Sequence, residues 1–161
     1  MQDLNEAIIL GQEALNLFPQ GQPYRSGSLS TLANRLATRY KEVGAMQDLD
    51  KAIVLHRTAL ALRPRGHPDR SASLDNIARN LRSRFARSRQ LRDQEELFSL
   101  FAELMHIPPS VSSRDLSAAR AWINAAEDFQ HPTLLAAYET SLRLLVQHLV
   151  TLPSLPQHLA M

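Results

Sequence analysis

This chain repeats itself, and that repetition limits its fold more than any other feature. Residues 1–45 align without a gap on residues 46–90. Met1-Gln2-Asp3-Leu4 returns as Met46-Gln47-Asp48-Leu49, Ala7-Ile8 as Ala52-Ile53 and Ala14-Leu15 as Ala59-Leu60. Pro19, Gly21 and Pro23 return as Pro64, Gly66 and Pro68, and Arg25, Ser26 and Leu29 as Arg70, Ser71 and Leu74. Ala33, Leu36 and Arg39 return as Ala78, Leu81 and Arg84. A unit of this size cannot bury its own apolar face, so it has to stack on a neighbour.

Each unit reads as two helices. Leu4, Ala7, Ile8, Leu10, Ala14, Leu15 and Leu17 fall mainly at three- and four-residue spacings and make one broad apolar face. Pro19 and Gly21 end that helix. Leu29, Leu32, Ala33, Leu36 and Tyr40 make a second stripe that closes near Gly44, with Ser26 or Ser28 placed to cap its start. The small residues Ala7, Ala14 and Ala33 allow close approach of neighbouring backbones. Residues 91–109 resemble a decayed third copy of the first helix, with Leu97 and Leu104 in place of the expected alanines. A helix over 113–128 carries Leu116, Ala119, Trp122, Ile123 and Ala126. Another starts near Pro132, a good first helical residue, and carries Leu134, Leu135, Tyr138, Leu142, Leu145 and Leu149. Trp122 is expected to fill the core between these last two helices.

The expectation is an all-α chain of about seven helices over residues 1–152, followed by a tail over 153–161. An orphan helix at 3–18 precedes helix pairs at 26–63, 71–107 and 113–150. The orphan lacks a preceding partner, so the array reads as starting mid-repeat: either it is a piece of a longer array, or its first helix packs on another molecule, self-association through that uncovered helix being one such expectation. The 5 Gly and 9 Pro, most of the latter between apolar runs, fit helices with Pro-marked turns.

Composition excludes several chemistries. With 0 Cys there is no disulfide, thiolate nucleophile or Cys-ligated zinc. A formal net charge of +2 gives a weak overall field and disfavours nucleic acid as a partner. No apolar run approaches the ~18 residues of a membrane span. The acidic N-terminus does not read as a secretory signal, which leaves a cytoplasmic setting as the default. The six His show no ligand spacing with a carboxylate on the same face. There is no Gly-rich phosphate loop and no Gly-x-Ser-x-Gly, so neither catalytic residue, cofactor nor metal is expected.

Ala52, His56, Ala59 and Pro64 sit at the spacing of the second-helix Ala, aromatic, Ala and Pro positions of tetratricopeptide repeats. Leu29, Leu32, Ala33 and Leu36 sit at the first-helix positions. The chain thus resembles that family, in a form of about 45 residues per unit where about 34 is usual. Gly66-His67-Pro68-Asp69 is similar to the long loop of kinesin-light-chain repeats. Residues 48–53, 59–64 and 66–71 resemble repeat arrays that precede a CHAT domain, a caspase-like peptidase module, and residues 136–145 and 152–157 resemble the junction before it. The resemblance implies a right-handed α-solenoid of antiparallel helix pairs whose first helices line a concave groove. That geometry would direct Ser30, Asn34, Thr38, Asp75, Arg79, Arg82 and Ser83 into the groove.

These residues point to a non-catalytic scaffold that binds a peptide or protein partner. A polar groove with two arginines suits an acidic segment, because guanidinium offers planar bidentate donors to carboxylate. The alternative is the sensing or regulatory part of a CHAT peptidase-like protein. A weaker one is RNA binding through the cluster Arg79, Arg82, Arg84, Arg87, Arg89 and Arg92. Against it, aromatic residues are sparse there, and Asp93, Glu95 and Glu96 follow at once. His67-Pro68-Asp69 also occurs as the functional loop of J-domain co-chaperones, but here it aligns with Gln22-Pro23-Tyr24 and reads as an inter-repeat loop.

Overall fold

The structure is a computed structural model that describes residues 2–17, 24–103 and 113–151. The described residues form seven helices and the turns between them, with no strand. They are α1 (Gln2–Leu17), α2 (Arg25–Val43), α3 (Met46–Ala61), α4 (Arg70–Ser88), α5 (Leu91–Ala102), α6 (Ser113–Asp128) and α7 (Leu134–Thr151). The expected helix end at Pro19 and Gly21, the tail at 153–161, and Leu104 lie outside the described residues.

Consecutive helices pack on one another, except that α6 packs mainly on α4 and α7 and only lightly on α5. α2 also touches α4. The stripe Leu29, Leu32, Ala33, Leu36 and Tyr40 is buried throughout. α3 buries two faces. Ala52 and Ala59 join Ile8, Leu15, Leu32 and Leu36 in one apolar cluster, while Ile53 and Leu60 join Leu74, Ile77, Leu81 and Phe98 in another. Ala33, Ala52, Ala59 and Ala78 are fully buried in these clusters. Ala7 and Ala14 are only half-buried, and Leu10 and Leu17, expected on the inward face of α1, are exposed. Trp122 is buried, stacks on Phe101 at 6.0 Å and donates from Nε1 to Thr133 Oγ1 at 3.2 Å.

Two expected caps fall elsewhere. α2 starts at Arg25 with Tyr24 at its N-cap and no side-chain cap bond. Ser28 Oγ instead donates back to Tyr24 O at 3.3 Å, and Ser26 is buried. α7 starts at Leu134, two residues past Pro132, because the turn is held by Leu134 N–H donating to His131 O at 3.1 Å. Gly44 closes α2 in the left-handed region at φ 74°, with its N–H on Tyr40 O. Its counterpart Arg89 closes α4 in the same way at φ 55°, with its N–H on Phe85 O.

The repeat is visible in polar detail. Arg39 donates to Asp48 Oδ2 at 2.7 Å, Asp48 Oδ1 at 2.6 Å and Asn5 Oδ1 at 2.9 Å. Forty-five residues on, Arg84 donates to Asp93 Oδ2 at 3.0 Å, Asp93 Oδ1 at 2.6 Å and Asp50 Oδ1 at 2.9 Å. Each clamp ties three consecutive helices together. The hydrogen bonds from Arg39 hold the Asp48 carboxyl below its ordinary range, outweighing burial, which pushes the other way. Those same contacts raise the Arg39 guanidinium. At the start of the unit, Arg25 Nη1 donates to Leu15 O at 3.0 Å and Arg70 Nη1 to Leu60 O at 3.4 Å.

Candidate functional site

One groove of about 570 Å³ runs between α2 and α4. Asn34, Thr38 and Lys41 line it from α2, and Asn76, Arg79, Asn80, Arg82 and Ser83 from α4, with Ala37 and Ala86 as its apolar floor. Helical spacing explains the set. Residues 34, 38 and 41 recur every three or four positions on the face of α2 away from Leu29, Leu32 and Leu36.

Of the seven residues singled out in the sequence, Asn34, Thr38, Arg79, Arg82 and Ser83 line this groove. Ser30 does not; it is buried within α2, and its Oγ has no partner. Asp75 is not a lining residue either. It accepts from Arg79 Nη2 at 2.7 Å, while the same nitrogen reaches Asn76 Oδ1 at 2.7 Å. Arg82 pairs with Asp128 of α6 at 2.7 Å. Both guanidiniums remain reachable, with side chains 60% and 39% exposed. The hydroxyls of Thr38 and Ser83 donate to the carbonyls of Asn34 and Arg79, each at 3.0 Å, so their oxygens face the groove as acceptors.

Five lining residues escaped the sequence reading: the polar Lys41, Asn76 and Asn80, and the small Ala37 and Ala86. Lys41 lies three residues past Thr38 and Asn76 three before Arg79, so helical spacing from the expected residues was a signal for those two. Asn80 is 7% exposed and its Nδ2 has no acceptor among the described residues. His56 of α3 is fully buried, and neither ring nitrogen has a hydrogen-bond partner among the described residues. Burial, reinforced by the charges of Arg63 and Arg79, pushes the His56 imidazole down to about 4, so it is neutral at pH 7. Among the described residues, the groove is lined by three cations, Lys41, Arg79 and Arg82, and by no carboxylate.

In the wider arginine cluster, Arg87, Arg89 and Arg92 are exposed. Arg79, Arg82 and Arg84 are ion-paired, and Arg89 lies over the Phe85 ring at 5.8 Å. His67-Pro68-Asp69 forms the turn into α4, where the Asp69 N–H donates to His67 Nδ1 at 3.0 Å and the Arg70 N–H to His67 O at 3.0 Å. Among the described residues, no helix is long and apolar enough to cross a membrane.

A second concavity of about 510 Å³ lies on the opposite face of α2 and is more apolar, with Leu15, Leu29, Leu32, Leu36 and Val54 in its wall. Compared with known proteins, the chain matches no family model, no curated sequence and no solved structure.

Proposed function

We propose that this chain is a non-catalytic binding module that takes an extended acidic peptide segment of a partner protein in the groove between α2 and α4. The observation that carries the proposal is the charge of the lining: Lys41, Arg79 and Arg82 converge on one groove that no carboxylate lines. Arg79 and Arg82 each spend part of a five-donor guanidinium on an internal carboxylate and keep further donors for a ligand. Asn80 adds a buried donor suited to a peptide carbonyl. Thr38 and Ser83 offer oxygens to peptide N–H groups. An extended strand suits such a groove, because its side chains alternate and its backbone groups are unpaired.

The same reading takes α2 with α3, α4 with α5, and α6 with α7 as antiparallel pairs of a right-handed tetratricopeptide-like solenoid. The contacts of α2 with α4 and of α4 with α6, and the twice-built arginine clamp, support that arrangement.

The test is fluorescence anisotropy with a labelled Glu/Asp-rich peptide and its Gln/Asn counterpart. The acidic peptide should bind at least about tenfold tighter, and binding should weaken as salt rises. Arg79→Glu and Arg82→Glu should each weaken it about tenfold or more, with the fold intact by circular dichroism. Equal binding by parent and both variants would remove the proposal.

A further inference from the structure

α7 buries one face only. Ala137, Thr140 and Leu144 turn into the core. On its solvent side, Glu139 is the one exposed residue between 135 and 150 that is not apolar. Leu135, Tyr138, Leu142, Leu145 and Leu149 recur at alternating three- and four-residue steps and are 43–69% exposed. Val146 and Val150 widen the stripe. Alternation of three and four is the seam of paired helices, and it is matched by a second helix of the same period. The exposed apolar residues of α1, Ile9, Leu10 and Leu17, do not recur in this way.

Area and the self-matching spacing of the stripe identify the partner. At these exposures the seven side chains present roughly 700 Å² of apolar surface, above the ~300–600 Å² of the largest patch on a typical monomer. Two such faces together bury roughly 1,400 Å², within the range of stable specific interfaces. Antiparallel pairing with Leu142 opposite Leu145 of a second copy sets Tyr138 opposite Leu149, so the stripe matches itself along its length. The helix dipoles are then opposed as well.

We propose that α7 is a self-association face, pairing antiparallel with α7 of a second copy of this chain about a two-fold axis. Because α7 is already held against α6, little ordering entropy opposes the pairing.

Sedimentation of the whole chain over a concentration series tests this. The mass should rise from 18.1 kDa to twice that value. The double variant Leu142→Glu/Leu145→Glu should stay at the monomer mass with an unchanged helical spectrum, a loss of about 100-fold or more in association. Ile9→Glu/Leu10→Glu in α1 should associate like the parent. With no native Cys, a Tyr138→Cys chain mixed with a Leu149→Cys chain should form the mixed disulfide faster than either forms its own. A faster symmetric Tyr138→Cys disulfide overturns the antiparallel geometry. A parent that stays monomeric overturns the proposal, as does loss of association in the α1 variant alone. Thiol labelling of Leu142→Cys in that monomer then identifies the cover: slow labelling assigns the face to the chain's own C-terminal segment, fast labelling to a different partner.

Discussion

One exchange of volume between neighbouring helices runs through the chain at the residue scale. Position 11 is Gly, position 56 His and position 101 Phe, while positions 35, 80 and 125 are Arg, Asn and Ala. As the second member shrinks, the first grows. A Cβ on Gly11 would meet Leu32 Cδ1 at 3.3 Å and Arg35 Nη1 at 3.4 Å, and Arg35 Nη1 donates to Ala7 O at 2.7 Å. Gly11→His alone should therefore cost about 1–3 kcal/mol through overpacking. Arg35→Asn alone should cost about 1–2 kcal/mol through the lost hydrogen bond. Gly11→His with Arg35→Asn copies the second unit into the first, and urea denaturation should find it less destabilised than the sum of the singles by about 1 kcal/mol or more. His56 carries a pH prediction. Its imidazole titrates at 6.5 when unfolded and about 4 when folded, so the unfolded chain takes up the proton first as pH falls. Stability is full above pH 6.5 and drops by roughly 3 kcal/mol toward pH 4. His131, also pushed down by burial, acts in the same direction. His56→Phe, the residue type found at position 101, should remove much of this slope in urea midpoints at pH 7 and pH 4.5.

The arginine clamps are the joints at the element scale. Asp93 is 1% exposed at its side chain and sits in the first turn of α5, so removing Arg84 leaves a carboxylate buried without its bidentate partner. Arg84→Ala should cost about 3 kcal/mol, and adding Asp93→Asn should recover part of that loss, as read from urea midpoints. The clamp stops after two copies: the positions of Arg84 and Asp93 become Phe129 and Tyr138. There an aromatic cluster takes over, with Phe129 against Phe85 at 5.0 Å and Phe98 at 6.2 Å. The 45-residue register therefore reaches α6, where Trp122 packs on Phe101 at the positions equivalent to Leu32 and Gly11. That continuation was hidden in the sequence, because a large aromatic replaced a small aliphatic and the identities on which alignment depends were gone.

For the whole molecule, the two binding surfaces stand on different helices. The groove draws on α2 and α4, the apolar stripe on α7, and they share no residue. Sites without common partners act independently. Arg79→Glu should leave the sedimentation mass unchanged, and Leu142→Glu/Leu145→Glu should leave peptide affinity unchanged within about twofold. Arg82 is the exception to watch, since its pairing with Asp128 links the groove to the α6 end adjoining α7.

The helices and the buried stripes of α2 to α4 were legible because periodicity and gap-free repetition report which face each helix turns inward. Leu29, Leu36, Ala52 and Ile53 needed nothing beyond their spacing. The resemblance to tetratricopeptide repeats, not spacing, directed Asn34, Thr38, Arg79, Arg82 and Ser83 to the groove that they line. The sequence could not show that Ser30 is buried, which depends on how closely neighbouring helices approach, whereas the Asp75–Arg79 pair, four residues apart on α4, was within reach of spacing. The α7 stripe shows this division most clearly. Leu135, Tyr138, Leu142, Leu145 and Leu149 were legible as one apolar stripe, but burial and exposure share one periodicity. Only the packing of α6 against Ala137 and Leu144 decided which face was covered, and so which was left to bind.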